Sequence, residues 1–243
     1  MSPFKKITLD LSSLVRPSSA AESSTKPPLG IDELMAQVRG FGLNTANIRM
    51  ADIQLDLHLD ECGLEDWQFV CELPAFPMDC PDIQEWVWEQ VMGCMGKLRT
   101  YQLHAVLLGE PSQIDEHGGA DLLQALHMIR QGGLSQKIGI SLRSPRHIPD
   151  WTTLCHFDIV KIPDYLIDGG PDQSKWTEQL TSQGLEIYSD PREKALGKQY
   201  PGRSAPDKHL AFQNWVRHRL AQPSLSQLLL DTDAVLNFCR SGA

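Results

Sequence analysis

Short apolar runs separated by amphipathic stretches recur along the whole chain. "KKITLDLSSLV" reads as a first strand. "IDELMAQVRGFG" then sets Ile31, Leu34, Met35 and Val38 on one helical face and closes on glycine. Strand "LNTANI" leads into helical "ADIQLDLHLDE", and strand "WQFVCELP" into the amphipathic helix "DIQEWVWEQVMGCMGKL", with Asp82 near its start. "QLHAVLLG" is a strand before helix "GADLLQALHMIRQGG", and "KIGISL" is a strand before a weakly helical "PRHIPDWTTLCH". Strands "FDIVKIP" and "LEIYSD" flank helix "DQSKWTEQLTSQG". "HLAFQNWVRHRLAQ" and "LSQLLLDT" read as helical, and "AVLNFC" as the eighth strand.

Strands that alternate with helices predict a parallel sheet with crossover helices. Eight in succession point to a (β/α)8 TIM barrel, with a doubly wound sheet as the competitor. A single domain is expected over residues 1–243. It is interrupted by "RPSSAAESSTKPP", whose Ser, Pro and Ala predict a mobile loop at about residues 16–29. Only Arg240 to Ala243 follow the expected eighth strand, so the last βα unit is expected to be truncated. The exposed end would then call for a protein partner, or a second copy of the chain, to cover it.

Composition narrows the function classes. The chain has 243 residues and a net charge of −9, with no basic stripe, which argues against nucleic acid as a partner. No apolar run approaches the roughly 18 residues that cross a membrane, and the first residues lack a signal-like segment. A cytoplasmic protein without a membrane partner is the expectation. The six cysteines form no C-x-x-C pair and read as small apolar residues in a reduced compartment. No H-E-x-x-H, P-loop, G-x-G-x-x-G or G-x-S-x-G occurs, so no metal site is expected. Trp86 and Trp88 point in different directions from one helix, so one should be core and the other a candidate partner contact.

Four segments in order carry a resemblance to a known family. "GFGLNTANIRMAD", "WQFVCELP", "YQLHAVLLGEPS" and "GLSQKIGISLRSP" followed by "FDIVKIPDYLID" resemble successive strand motifs of the aldo/keto reductases, over roughly residues 30 to 200. The resemblance implies that family's type of (β/α)8 barrel. It also implies a catalytic tetrad, whose aspartate, tyrosine, lysine and histidine positions fall on Asn47, Asp52, Glu72 and Gly109. All four are replaced. Carbonyl reduction needs a proton donor at the developing alkoxide, and a tyrosine serves only if a cation lowers its pKa from about 10. A carboxylate at the lysine position does the reverse.

The same resemblance places cofactor contacts at Ser141, Lys161, Ser189, Arg192, Lys194 and Gly197. The asparagine expected after Ser141 is Leu142, and Lys161 stands in place of a glutamine. Two functional readings follow. In the first, the chain is a catalytically inactive barrel acting as a binding or regulatory subunit without a cofactor. The alternative is a divergent NADP(H)-dependent oxidoreductase that reduces a carbonyl, such as a sugar derivative, with Tyr165 or Asp52 as donor. Unrelated lyase or isomerase chemistry on the same barrel is a third possibility.

Asn47, Asp52, Glu72, Lys161, Asp164 and Asp190 are all expected near the C-terminal mouth. There Lys161 and Glu72 serve either as nucleophile and base or as an ion pair plugging the pocket. Arg143, Arg146, Arg192, Lys194, Lys198 and Arg203 are candidates to converge on a phosphate.

Overall fold

A computed structural model describes residues 3–13, 31–53, 66–143, 151–167, 171–191 and 205–241. The expected Ser/Pro-rich loop at 16–29 lies outside the described residues, as does most of the expected helix "ADIQLDLHLDE". The strands are β1 (Ile7–Asp10), β2 (Thr45–Arg49), β3 (Gln68–Leu73), β4 (Leu103–Leu108), β5 (Ser135–Ser141), β6 (Ile159–Pro163), β7 (Glu186–Asp190) and β8 (Leu225–Asp231). The helices are α1 (Ile31–Arg39), α2 (Ile83–Leu98), α3 (Gly119–Gln131), α4 (Trp151–Leu154), α5 (Pro171–Ser182), α6 (Ala205–Leu220) and α7 (Thr232–Ser241). The strands pair in sequence order, all parallel, and close into a barrel through β8 and β1, with Leu9 opposite Leu230. This is the expected (β/α)8 barrel, not a doubly wound sheet. No helix among the described residues is long and apolar enough to cross a membrane.

Each helix forms where its apolar spacing meets a start and a stop. On α2 the Asp82 carboxylate accepts the Glu85 N–H at 2.9 Å, capping the first turn. Val87, Val91, Cys94, Met95 and Leu98 make its buried stripe. Trp86 lies partly buried with its ring edge against Phe76, whereas Trp88 is 48% exposed. On α1, Leu34, Met35 and Val38 are buried as the pattern predicts, and Gly42 turns the chain at φ +89°.

The last βα unit differs from expectation. "LSQLLLDT" is not helical: its Leu225–Asp231 is β8, and "AVLNFC" lies in α7 rather than in a strand. The Asp231 carboxylate accepts the Ala234 N–H at 2.8 Å and so caps that helix. The unit is short beside the 16-residue α2, but its helix packs Val235 and Cys239 into the core and β8 is paired on both sides. Among the described residues β8 therefore has no open strand edge.

Alternation along the strands divides the core in two. Outward residues such as Leu9, Ile48, Phe69, Val106, Ile140, Val160 and Leu228 pack under the helices. Val70, Ala105, Leu107, Ile159, Tyr188 and Leu229 form a separate cluster, the barrel interior. Gly139 is required there, because a Cβ at that position would meet Leu107 Cδ2 at 2.5 Å and the Ile159 carbonyl oxygen at 2.7 Å.

Candidate functional site

Two residues beyond the interior apolar layer, the strands change character. Val70 is followed on the same face by Glu72, Ile159 by Lys161, Tyr188 by Asp190 and Leu229 by Asp231. A period of two therefore builds a polar layer at the C-terminal mouth directly above an apolar one.

The centre of this layer is Lys161. It is 2% exposed, and its ammonium contacts the Glu72 carboxylate, itself 6% exposed, with Asp190 Oδ2 at 3.7 Å. These groups line a cavity of about 240 Å³. Arg49 from the end of β2, and Ser141 and Arg143 from the end of β5, complete its polar wall. Leu142 and Pro163 supply its apolar surface. No tyrosine and no histidine lines the cavity among the described residues.

A second polar group occupies the mouth at β1 and β2. Asn47 Nδ2 donates to Asp10 Oδ1 at 3.1 Å, and the same oxygen accepts from the Ser12 hydroxyl at 2.7 Å. Beside it, reduced access to water, followed by the Asp233 and Asp10 charges, raises the Asp231 carboxyl above its usual range.

The candidates predicted from sequence do not all meet in one place. Glu72, Ser141, Lys161 and Asp190 converge on the cavity, and Asn47 lies in the neighbouring Asp10 network. Asp52 does not: it ends a short 3-10 turn after β2 and stands outside the cavity wall. Ser189 and Asp164 also lie away from the cavity, contrary to expectation. Ser189 alternates outward from β7, where its hydroxyl donates to Asp164 Oδ1 at 2.9 Å. Asp164 in turn holds Arg219 of α6 at 2.7 Å, in a network sealed between barrel and helix. Neither side chain is available to a ligand at the mouth. Arg146, Arg192, Lys194, Gly197, Lys198 and Arg203 lie outside the described residues. Tyr165 sits at the rim, its hydroxyl donating to the Arg143 carbonyl at 3.5 Å.

Gly109 has a physical reason to lack a side chain. Its N–H donates to the Leu73 carbonyl oxygen at 3.2 Å, and a Cβ would lie 2.5 Å from that same oxygen. The close approach of β4 to β3 thus excludes any larger residue at this backbone position. Sequence reasoning missed Arg49 and Asp10. Both end strands at the mouth, and strand-end position is the signal that finds them.

No family model matches the sequence, and no curated protein matches it. Solved structures do. The aldo-keto reductase AKR11C1 from Bacillus halodurans, in its holo form, aligns over 98% of this chain and 86% of its own, with a TM-score of 0.67 at 14% identity. The protein PA4992 of Pseudomonas aeruginosa aligns over 98% and 91%, with a TM-score of 0.66 at 16% identity. The aldose reductase of Schistosoma japonicum aligns over 96% and 81%, with a TM-score of 0.62 at 16% identity. The strand order, the closed parallel barrel and these alignments agree, and the chain has the barrel fold of the aldo-keto reductases.

Proposed function

We propose that this barrel binds at its C-terminal mouth without carrying out carbonyl reduction, and acts as a binding or regulatory subunit. The observation that carries the reading is the buried ion pair of Glu72 with Lys161. A reductase of this fold type needs a phenol made acidic by a free cation. Here a carboxylate stands at the strand-three position, and the buried Lys161 beside it is matched by Glu72 and Asp190. The position aligned with the family's histidine is a glycine with no room for a side chain.

A second reading, an NADP(H)-dependent oxidoreductase, draws support from the fold and from the Tyr165 hydroxyl at the rim. Calorimetric titration with NADPH and NADP⁺ at low and moderate salt, with a carbonyl-turnover assay, separates the two. The expected result is neither saturable dinucleotide binding nor turnover. Saturable micromolar binding of NADPH would overturn the first reading.

A further inference from the structure

We infer that the outer face of α2 pairs two copies of this chain, antiparallel about a two-fold axis beside Met92 and Gly93. The surface stands apart from the mouth and does not depend on what the mouth binds.

The inner side of α2 is spent on the core, through Val87, Val91, Cys94, Met95 and Leu98. A solvated helix carries polar residues on its other side. Here Trp88 is 48% and Met92 42% exposed, four residues apart and so neighbours on the helix surface. Gly93 and Gly96 lie exposed beside them. A Cβ at either glycine would meet nothing, so packing within the chain does not require them. Glycine inside a helix costs stability relative to alanine. What it leaves is a shallow shelf next to two large apolar side chains, and the side chains at a contact set how closely two helices approach.

Charge selects the occupant and its direction. Glu85 and Glu89 lie in the first half of this face, Lys97 and Arg99 at its end, all exposed. Neither glutamate side chain has an ion-pair partner among the described residues. Lys97 Nζ donates to the Ile53 carbonyl oxygen at 2.8 Å, which leaves its charge without a carboxylate among the described residues. An antiparallel second α2 sets the acidic half of each helix beside the basic end of the other, whereas a parallel one sets like charges together. With the axis between Met92 and Gly93, Glu89 faces the partner's Gly96 and comes within reach of the partner's Lys97. The face is thus complementary to itself, as a closed dimer requires. The 16 residues of α2 make a contact about 24 Å long. Two such helices bury an area at the low end of specific interfaces, so the dimer is expected to be reversible at micromolar concentration.

Sedimentation equilibrium of the whole chain, from low to high micromolar concentration, tests this. The expected result is a monomer–dimer equilibrium. Met92→Glu sets like charges together at the axis and should weaken association tenfold or more. Gly96→Gln should weaken it as much, while the thermal midpoint of the dilute monomer stays level or rises, because glutamine favours a helix over glycine. Glu89→Lys and Lys97→Glu should each weaken association alone and should associate when mixed, since the mixture restores opposite charges at both ends of the contact. Circular dichroism verifies the fold of each variant. A chain that stays monomeric throughout, a dimer unaffected by Met92→Glu and Gly96→Gln, or no recovery in the mixture of folded charge variants would overturn the inference.

Discussion

Lys161 of β6 and Glu72 of β3 form an ion pair inside the barrel, three strands apart in the closed sheet and almost entirely withdrawn from water. Burying two charges costs several kcal/mol per ion before their attraction is counted, so such a pair stabilises little compared with apolar residues of the same volume. The pair lies in the polar layer at the mouth, where apolar residues of the same volume would stabilise the barrel as well or better.

The asymmetry of that balance is measurable. Lys161→Met leaves a buried carboxylate facing Asp190 and is expected to cost about 3–5 kcal/mol in urea denaturation. The double substitution Lys161→Met with Glu72→Leu should recover most of that loss. Equal destabilisation by the single and double variants would refute this account of the pair.

Gly109 offers a second test. Gly109→Ala forces a methyl against the Leu73 carbonyl oxygen and is expected to destabilise by about 1–3 kcal/mol. Gly109→His should be worse, and should not create carbonyl reductase activity. Thermal melts of the two variants, with a turnover assay, decide it.

Outside the barrel, Arg219 is 1% exposed and Asp164 is 2% exposed. Arg219→Met strands the Asp164 carboxylate and is expected to cost about 3–5 kcal/mol. Ser189→Ala removes a single hydroxyl donor and is expected to cost about 1–2 kcal/mol. Because the Ser189 hydroxyl faces α6 and not the cavity, Ser189→Ala should leave ligand binding at the mouth unchanged. A large affinity change in calorimetry would contradict the placement.

Two residues shape stability against pH from opposite ends. Burial, then the Lys137 ammonium, holds the His104 imidazole below its ordinary 6.5. The unfolded chain therefore binds the proton first, and stability falls as pH drops below about 6.5. Burial, then the Glu186 charge, pushes the Tyr188 phenol above its ordinary 10.0. The unfolded phenol ionises first on the alkaline side, so stability is full below about pH 10 and is lost as pH rises above it. Urea midpoints measured across both ranges should show each slope, the acid one flattened in His104→Gln and the alkaline one in Tyr188→Phe.

The first seven strands were readable because each combines a buried run with a turn signal and a helix of period 3.6 between neighbours. The eighth was not. "LSQLLL" and "AVLNFC" are both short apolar runs, and periodicity alone does not separate a buried strand from a buried helix of that length. The distinguishing signal was Asp231, whose carboxylate caps the following helix. At the site, Glu72 and Lys161 were legible as partners because they stand near the C-terminal ends of strands three and six. Ser189 was misplaced because a shift of one residue along a strand turns a side chain from the mouth to the outer wall, and Asp164 because the 3-10 turn after β6 carries it to Arg219 of α6.

The sequence by itself determined the local elements, the alternation of strand and helix, and which residue types stand near the strand ends. All of these depend on residue type and short-range spacing. Tertiary structure decided which charges meet. Only barrel closure brings Lys161 of β6 against Glu72 of β3, sets two arginines over them, and sends Ser189 to Arg219's side of the wall. Those relations depend on register between strands far apart in the chain, and no local pattern encodes it.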